Sequence, residues 1–182
     1  MIDTLLQRNS HARLIEPGPN DEELQTLLAA GLRAPDHGRL RPWRFLVIAG
    51  ERRKALGEVF EQSLLVSKPG ATQAELDKAR NAPLRAPLVI AGLVCPVDNP
   101  KVPRSEQVAA VACALYGMQL SAESMGYGSV WRTGAYARDP HVLAALGGNT
   151  EQEVVGFLYV GTRQGDPKPL VQEALKDYID YY

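Results

Sequence analysis

The sequence predicts an α+β fold built as a single domain, and three observations carry that expectation. Three short runs are apolar and rich in β-branched and aromatic residues: Trp43-Arg44-Phe45-Leu46-Val47-Ile48, Leu88-Val89-Ile90-Ala91-Gly92-Leu93-Val94 and Val154-Val155-Gly156-Phe157-Leu158-Tyr159-Val160. Such runs read as buried strands. The stretches between them carry apolar residues at helical spacing, and the 182 residues, 45% hydrophobic and 23% charged, suffice for one substantial core. No linker, internal repeat or low-complexity tract divides the chain.

Taken in order, Ile2, Leu5 and Leu6 recur at helical spacing in a short opening helix, which gives way to the polar run Arg8-Asn9-Ser10-His11-Ala12-Arg13. After Pro17-Gly18-Pro19, Asn20 is placed to cap a second helix and Glu23 to close a capping box, with Leu24, Leu27 and Leu28 forming one face up to Gly31. Residues 31–42 form a polar, proline-punctuated loop that delivers its side chains to the first strand. Helices are expected at 51–66 and 72–82, separated by Pro69-Gly70. Pro83 and Pro87 then introduce the second strand. The segment 106–125, rich in Ala and Leu and apolar on nearly every face, predicts a central buried helix ended by Gly126 and Gly128. Val130-Trp131 reads as a short strand, 139–146 as a short helix, and 154–160 as another central strand. The tail, 163–182, turns to Pro, Lys and Asp and ends with Tyr178, Tyr181 and Tyr182. An aromatic terminus of this kind needs a surface to lie on, and a second subunit can supply it.

Composition excludes several classes. A formal charge of −1 with acids and bases interspersed gives no basic face for nucleic acid. The longest uncharged stretch, 107–122, is too short for a membrane span. Cys95 and Cys113 have no metal-ligand spacing and read as small core residues; His11, His37 and His141 lie in separate segments, so no metal site is expected. The first twenty residues lack the apolar core of a signal peptide, so the cytoplasm is the expected location. Phosphate-binding glycine loops, zinc-protease motifs and nucleophile elbows are absent from the sequence.

Three clusters remain. Arg8-Asn9-Ser10 with Arg13 can hold a phosphate through charge-assisted bonds, although solvated surface arginines would look the same. Residues 33–43 pack Arg33, His37, Arg39, Arg41 and Trp43 into a proline-rigid loop, where binding residues are often found. Trp131-Arg132-Thr133-Gly134-Ala135 ends a strand in a glycine-relieved turn that lets a planar ligand approach the backbone.

Together these motifs resemble those of FMN-dependent nitroreductases, in the family's order and over nearly the whole chain. Arg8-Asn9-Ser10 with Arg13 is similar to the family's arginine-arginine-serine entry. Ala34-Pro35 through Pro42-Trp43 is similar to its proline-tryptophan loop. Met125-Gly126-Tyr127-Gly128 resembles its helix-to-glycine turn, and Val155-Gly156-Phe157-Leu158-Tyr159-Val160-Gly161 its glycine-bearing strand. The short length, Ala34-Pro35-Asp36-His37 and Trp131-Arg132-Thr133-Gly134-Ala135 resemble the small bacterial subgroup.

The resemblance implies a mostly antiparallel central sheet flanked by helices, an intertwined homodimer with FMN sites between the chains, and electron transfer from NADH or NADPH to a small nitroaromatic or quinone-type acceptor by a ping-pong mechanism. It implies that Arg8 and Ser10 hold the FMN phosphate and ribityl end, with Asn9 where the family has a second Arg. Arg33 and His37 would reach the flavin from the partner subunit, His37 positioning or tuning the ring. Trp131, Arg132 and Thr133 would border the isoalloxazine, and Ser121, Ala122, Glu123, Ser124, Met125 and Gly126 would lie near the NAD(P) donor. No protein nucleophile is required. Arg41 departs from the family's usual Gln. Arg163 stands where relatives place a base toward the phosphate, its direction open. Two readings compete: a flavin carrier or redox sensor without turnover, and a dimeric interaction protein whose basic loops meet an acidic partner.

Overall fold

The computed structural model describes residues 2–166, 168–171 and 173–182. The helices are α1 (Ile2–Gln7), α2 (Asp21–Gly31), α3 (Arg52–Ser67), α4 (Gln73–Arg80), α5 (Arg104–Ser124), α6 (Ala135–Arg138) and α7 (Pro140–Ala145). The strands are β1 (Leu14–Ile15), β2 (Trp43–Ala49), β3 (Leu88–Val94), β4 (Gly128–Arg132) and β5 (Glu153–Arg163).

Every strand pairing is antiparallel. β2 pairs β3, β3 pairs β5, β4 also pairs β5, and β1 pairs the end of β5 at Thr162 and Arg163. β3 is buried at every position, as a strand covered on both faces must be. Its alternation divides the core. Val89, Ala91 and Leu93 pack with Phe60 of α3 and with Phe157 and Tyr159 of β5 on one face. Leu88 and Ile90 pack with Leu27 of α2, with Leu115 and Met118 of α5 and with Leu158 on the other.

Local signals produced the helix starts. Asn20 accepts from the Glu23 amide at 2.9 Å while Glu23 accepts from the Asn20 amide at 2.9 Å, the expected reciprocal cap. Thr72 and Glu75 repeat the arrangement at α4. Arg80 then ties α4 to α3 through a bidentate pair with Glu61 at 2.8 and 2.6 Å.

The structure departs from the expected elements in three places. β1 and α6 are additional, both too short to leave a periodic pattern. β5 runs on to Arg163 because β1 pairs its last residues. α5 buries one stripe, including Gln107, Val111, Leu115, Met118 and Ala122, rather than every face. Its opposite side leaves Ala109, Cys113 and Tyr116 exposed, so Cys113 is not a core residue in the single chain. The stripe forms because α2 and the sheet cover only one side of the helix.

Candidate cofactor site

β4 is the spine of the site. At its start, Gly128 leaves room that a side chain would fill, since a Cβ there would meet Arg163 Cγ at 2.7 Å and the His11 ring at 3.1 Å. The His11 amide donates to the Ser129 carbonyl at 2.9 Å, which docks the Arg8–His11 segment against the beginning of the strand. Arg8 is half-buried and enters no ion pair among the described residues, and Ser10 is exposed. Asn9 is committed locally: its Oδ1 accepts from the Ser10 amide at 2.9 Å and its Nδ2 donates to the Lys168 carbonyl at 2.6 Å. Where the resemblance places a second phosphate-binding Arg, this chain has a residue that ties the loop to the tail.

His11 sits in that polar run but is 8% exposed, and neither ring nitrogen has a hydrogen-bond partner among the described residues. Burial holds its pKa below the usual histidine value, Arg163 and Arg8 push it the same way, and Glu123 opposes them. Arg163 turns inward. Its guanidinium donates to Glu123 Oε1 at 2.6 Å and to the Tyr127 carbonyl at 3.0 Å, so it is engaged in joining β5 to the end of α5.

At the far end of β4, the Trp131 indole lies over Gly156, where a Cβ would collide with Nε1. Trp131 Nε1 and Arg132 Nε are buried donors without an acceptor among the described residues. Each such orphan costs on the order of 1–3 kcal/mol unless a bound group satisfies it. The Arg132 guanidinium rests 5.7 Å from the centre of the Tyr159 ring, a cation–π contact that fixes its position. Tyr159 is pushed up to about 12 by burial and stays neutral. Thr133 is exposed and lines a cavity of about 650 Å³ that also meets Val108, Gln152 and Val155. Gly134 follows with φ 88, a conformation open to glycine and poor for other residues.

The loop 33–43 sits elsewhere on the molecule. His37 Nδ1 contacts Glu106 Oε2 at 2.7 Å in the first turn of α5, whereas the Arg8–His11 cluster lies by Glu123 in the last. Those ends are about 25 Å apart along the helix axis. The chain therefore sets Arg8 and Ser10 by the start of β4 and Trp131, Arg132 and Thr133 at its end, with Trp131 and Arg132 on opposite faces, and does not bring His37 to the Arg8 end. Arg33 is exposed and lines a depression with Arg39 and Arg41.

The segment 121–126 closes α5 next to His11 and Arg163, at the opposite end of β4 from Thr133. Ala122 is fully buried in the core and Glu123 is paired with Arg163, so these two cannot contact a dinucleotide in this conformation. Ser124 and Gly126 are exposed, and Ser121 and Met125 half-buried. The inward His11 and the Asn9–tail bond escaped sequence reasoning because each is set by a partner distant in the chain; the only local signal was the His within a run of bases.

Comparison with known proteins agrees with this architecture. The Nitroreductase family model matches residues 7–162. A protein of Escherichia coli named "Putative NAD(P)H nitroreductase YdjA" is 43% identical over 179 residues, covering 93% of this chain and 97% of the relative. A relative of Haemophilus influenzae bearing the same description without the final name is 35% identical over 163 residues, with 88% and 87% covered. Among solved structures, a nitroreductase-like family protein from Bacillus cereus superposes with TM-score 0.84 at 23% identity over 100% of this chain and 95% of that one. The FMN and NADPH-dependent nitroreductase NfnB of a Sphigopyxis strain, solved as a mutant, superposes with TM-score 0.79 at 18% identity over 99% and 97%. A family match across most of the chain, joined to an antiparallel sheet with the same ordered motifs, places this protein in the nitroreductase family.

Proposed function

We propose that the protein is an FMN-dependent oxidoreductase that passes electrons from NADH or NADPH to a small oxidised acceptor of nitroaromatic or quinone type, working as a homodimer. The observation that carries this reading is the layout of β4, with Arg8, free of ion pairs among the described residues, and the exposed Ser10 docked at its start, and Trp131, Arg132 and the exposed Thr133 at its end. A flavin mononucleotide offers the complementary groups: carbonyl and ring-nitrogen acceptors at one end and a dianionic phosphate at the other. The residues present fit the group.

Arg8 and Ser10 hold the phosphate, while Arg163 supports the fold beneath it. Trp131 and Thr133 would border the ring, and Arg132, held over Tyr159, would supply a fixed positive charge to stabilise negative charge on the reduced flavin. FMN, when bound, supplies the two-electron chemistry between donor and acceptor. Donor and acceptor would use the same site in turn, which would give ping-pong kinetics. Ser124 and Gly126 are the members of 121–126 free to touch the donor.

The separation of His37 from Arg8 within one chain supports a dimeric site. In this reading Arg33 and His37 reach the flavin from a second copy, as the family resemblance implies. The exposed apolar side of α5, the exposed Ile2, Leu5 and Leu6 of α1, and the tail's Leu175, Tyr178 and Tyr181 are surfaces a second copy would cover. No helix among the described residues is long and apolar enough to cross a membrane.

The test is an anaerobic visible spectrum of the purified protein with FMN, before and after NADH or NADPH. Bound flavin that bleaches on addition and recovers with a nitroarene or quinone is the expected outcome. Bound flavin that never bleaches would favour a carrier or sensor, and absence of binding would overturn the proposal.

A further inference from the structure

Arg33, Arg39 and Arg41 line one cavity of about 470 Å³, whose walls also include Asp36 and the Trp43 indole. None of the three arginines is in an ion pair among the described residues. Asp36, the acid in this cavity wall, is already engaged: its Oδ2 accepts from the Arg41 amide at 2.7 Å and its carbonyl from the Arg39 amide at 3.1 Å. The basin thus carries excess positive charge.

Its backbone is unusual as well. Arg39 at φ 54 and Arg41 at φ 51 are the non-glycine residues with positive φ among those described, next to Gly38 at φ 72. Side chains other than those of Gly, Asn and Asp meet a steric cost in that region, so two arginines are not expected there for solvation alone. Asp36 holds the turn, and the turn presents both arginines to the same cavity. Trp43 is half-buried and stacked on Phe45, with centroids 6.3 Å apart at 25°, which makes it a fixed flat wall.

We propose that Arg39 and Arg41, with Arg33 and against Trp43, form a subsite for the anionic group, carboxylate or phosphate, of one of the two substrates. This rests on the oxidoreductase reading for what the substrates are. Guanidinium forks match carboxylate and phosphate oxygens in bidentate geometry, and an anion relieves the mutual repulsion of three like charges. The subsite lies on the same loop as His37 and so borders the flavin that loop serves. Its occupant is either an aromatic acceptor bearing a carboxylate or the additional phosphate that separates NADPH from NADH.

The experiment compares wild type with the double variant Arg39→Asn and Arg41→Asn, chosen because Asn tolerates positive φ, and with the charge-retaining double Lys variant. Calorimetry and steady-state kinetics on the flavin-loaded protein use para-nitrobenzoate against para-nitrobenzamide, and NADPH against NADH. Loss of one charge-assisted contact predicts a fall of about tenfold in the preference for the anionic member of one pair, partly restored by Lys. A fall confined to the benzoate pair assigns the acceptor; a fall confined to the dinucleotide pair assigns the phosphate. No preference in wild type, or an equal change for charged and neutral members of both pairs, would overturn the proposal. Calorimetric binding of para-nitrobenzoate does not need turnover. Protein that binds no FMN yet prefers the benzoate through these arginines would therefore sink the oxidoreductase reading and leave the anion subsite standing.

Discussion

Arg163 reaches from the end of β5 to the last turn of α5, where one guanidinium nitrogen donates both to Glu123 Oε1 at 2.6 Å and to the Tyr127 carbonyl at 3.0 Å. The Glu123 side chain is 9% exposed and that of Arg163 32% exposed, so the pair is largely withdrawn from water. The contact joins the strand that organises the sheet to the turn that starts β4. A base at the Arg8 end of β4 thus acts on the fold, whereas Arg8 and Arg13 enter no ion pair among the described residues.

Replacement of Arg163 by Ala leaves a buried carboxylate unpaired and is expected to cost about 2 kcal/mol, below the roughly 3–5 kcal/mol of fully buried pairs because Arg163 is partly hydrated. Urea unfolding reads this directly. The expected companion result is an unchanged number of flavins bound per folded chain. A large loss of flavin affinity without loss of stability would show that Arg163 turns toward the phosphate after all.

Arg8→Ala should give the opposite pattern. A charge-assisted contact to phosphate is worth roughly 1.5–3 kcal/mol, so FMN affinity should fall by about tenfold to a hundredfold while the unfolding midpoint barely moves. Titration followed by quenching of flavin fluorescence measures it. Unaltered affinity would remove Arg8 from the site.

These contrasts show what was legible in the chain and what was not. The capping box of Asn20 and Glu23 was readable because all its partners lie within four residues, and β3 because an unbroken apolar run leaves few other places to go. β1 was not, since two residues make a strand only by pairing with Thr162 and Arg163. The same non-local pairing lengthened β5 beyond its apolar run. The clusters at Arg8 and at Trp131 were legible as residue types, yet their alignment along β4 depends on the His11–Ser129 bond, and the inward turn of Arg163 depends on Glu123 forty residues earlier. Cys113 read as core because its neighbours on α5 are apolar, whereas burial of that face requires a surface the single chain does not supply.

Gly156→Ala tests the ring end. The added Cβ would collide with the Trp131 indole and press on the Arg132 carbonyl at 3.0 Å, and β5 is too well paired to retreat. The indole must move, at a cost of about 1–3 kcal/mol for overpacking. The expected signs are a shifted tryptophan emission spectrum together with weaker flavin binding. Weakened stability with emission and affinity both unchanged would mean that Trp131 does not border the ligand.

Acid should expose His11. Its folded pKa lies below the unfolded value of about 6.5, so the unfolded chain takes up a proton first as the pH falls. The stability this group contributes is complete above its unfolded pKa and is lost as the pH drops toward the folded value. Glu75, held at about 2 by Lys68 and the Thr72 cap, contributes in a separate and more acid window, below the ordinary glutamate value of 4.5. The melting temperature of the wild type should therefore fall between about pH 7.5 and pH 5.5 by more than that of His11→Gln, which has no such group to titrate. Equal falls in the two proteins would assign the acid sensitivity to another group.

Ala109→Arg addresses the second copy. Ala109 lies with Cys113 and Tyr116 on the exposed side of α5, so within one chain an arginine there projects into water and should change stability by no more than about 0.5 kcal/mol. Across a dimer it would bury an unpaired charge in an apolar contact, where truncations and charges alike cost several kcal/mol. Light scattering should then report a folded monomer. If Arg33 and His37 reach the flavin from the partner, as proposed, that monomer would also lose those contacts, and its flavin affinity should drop alongside its mass. A monomeric variant that still binds FMN with full affinity would show that one chain builds the site alone.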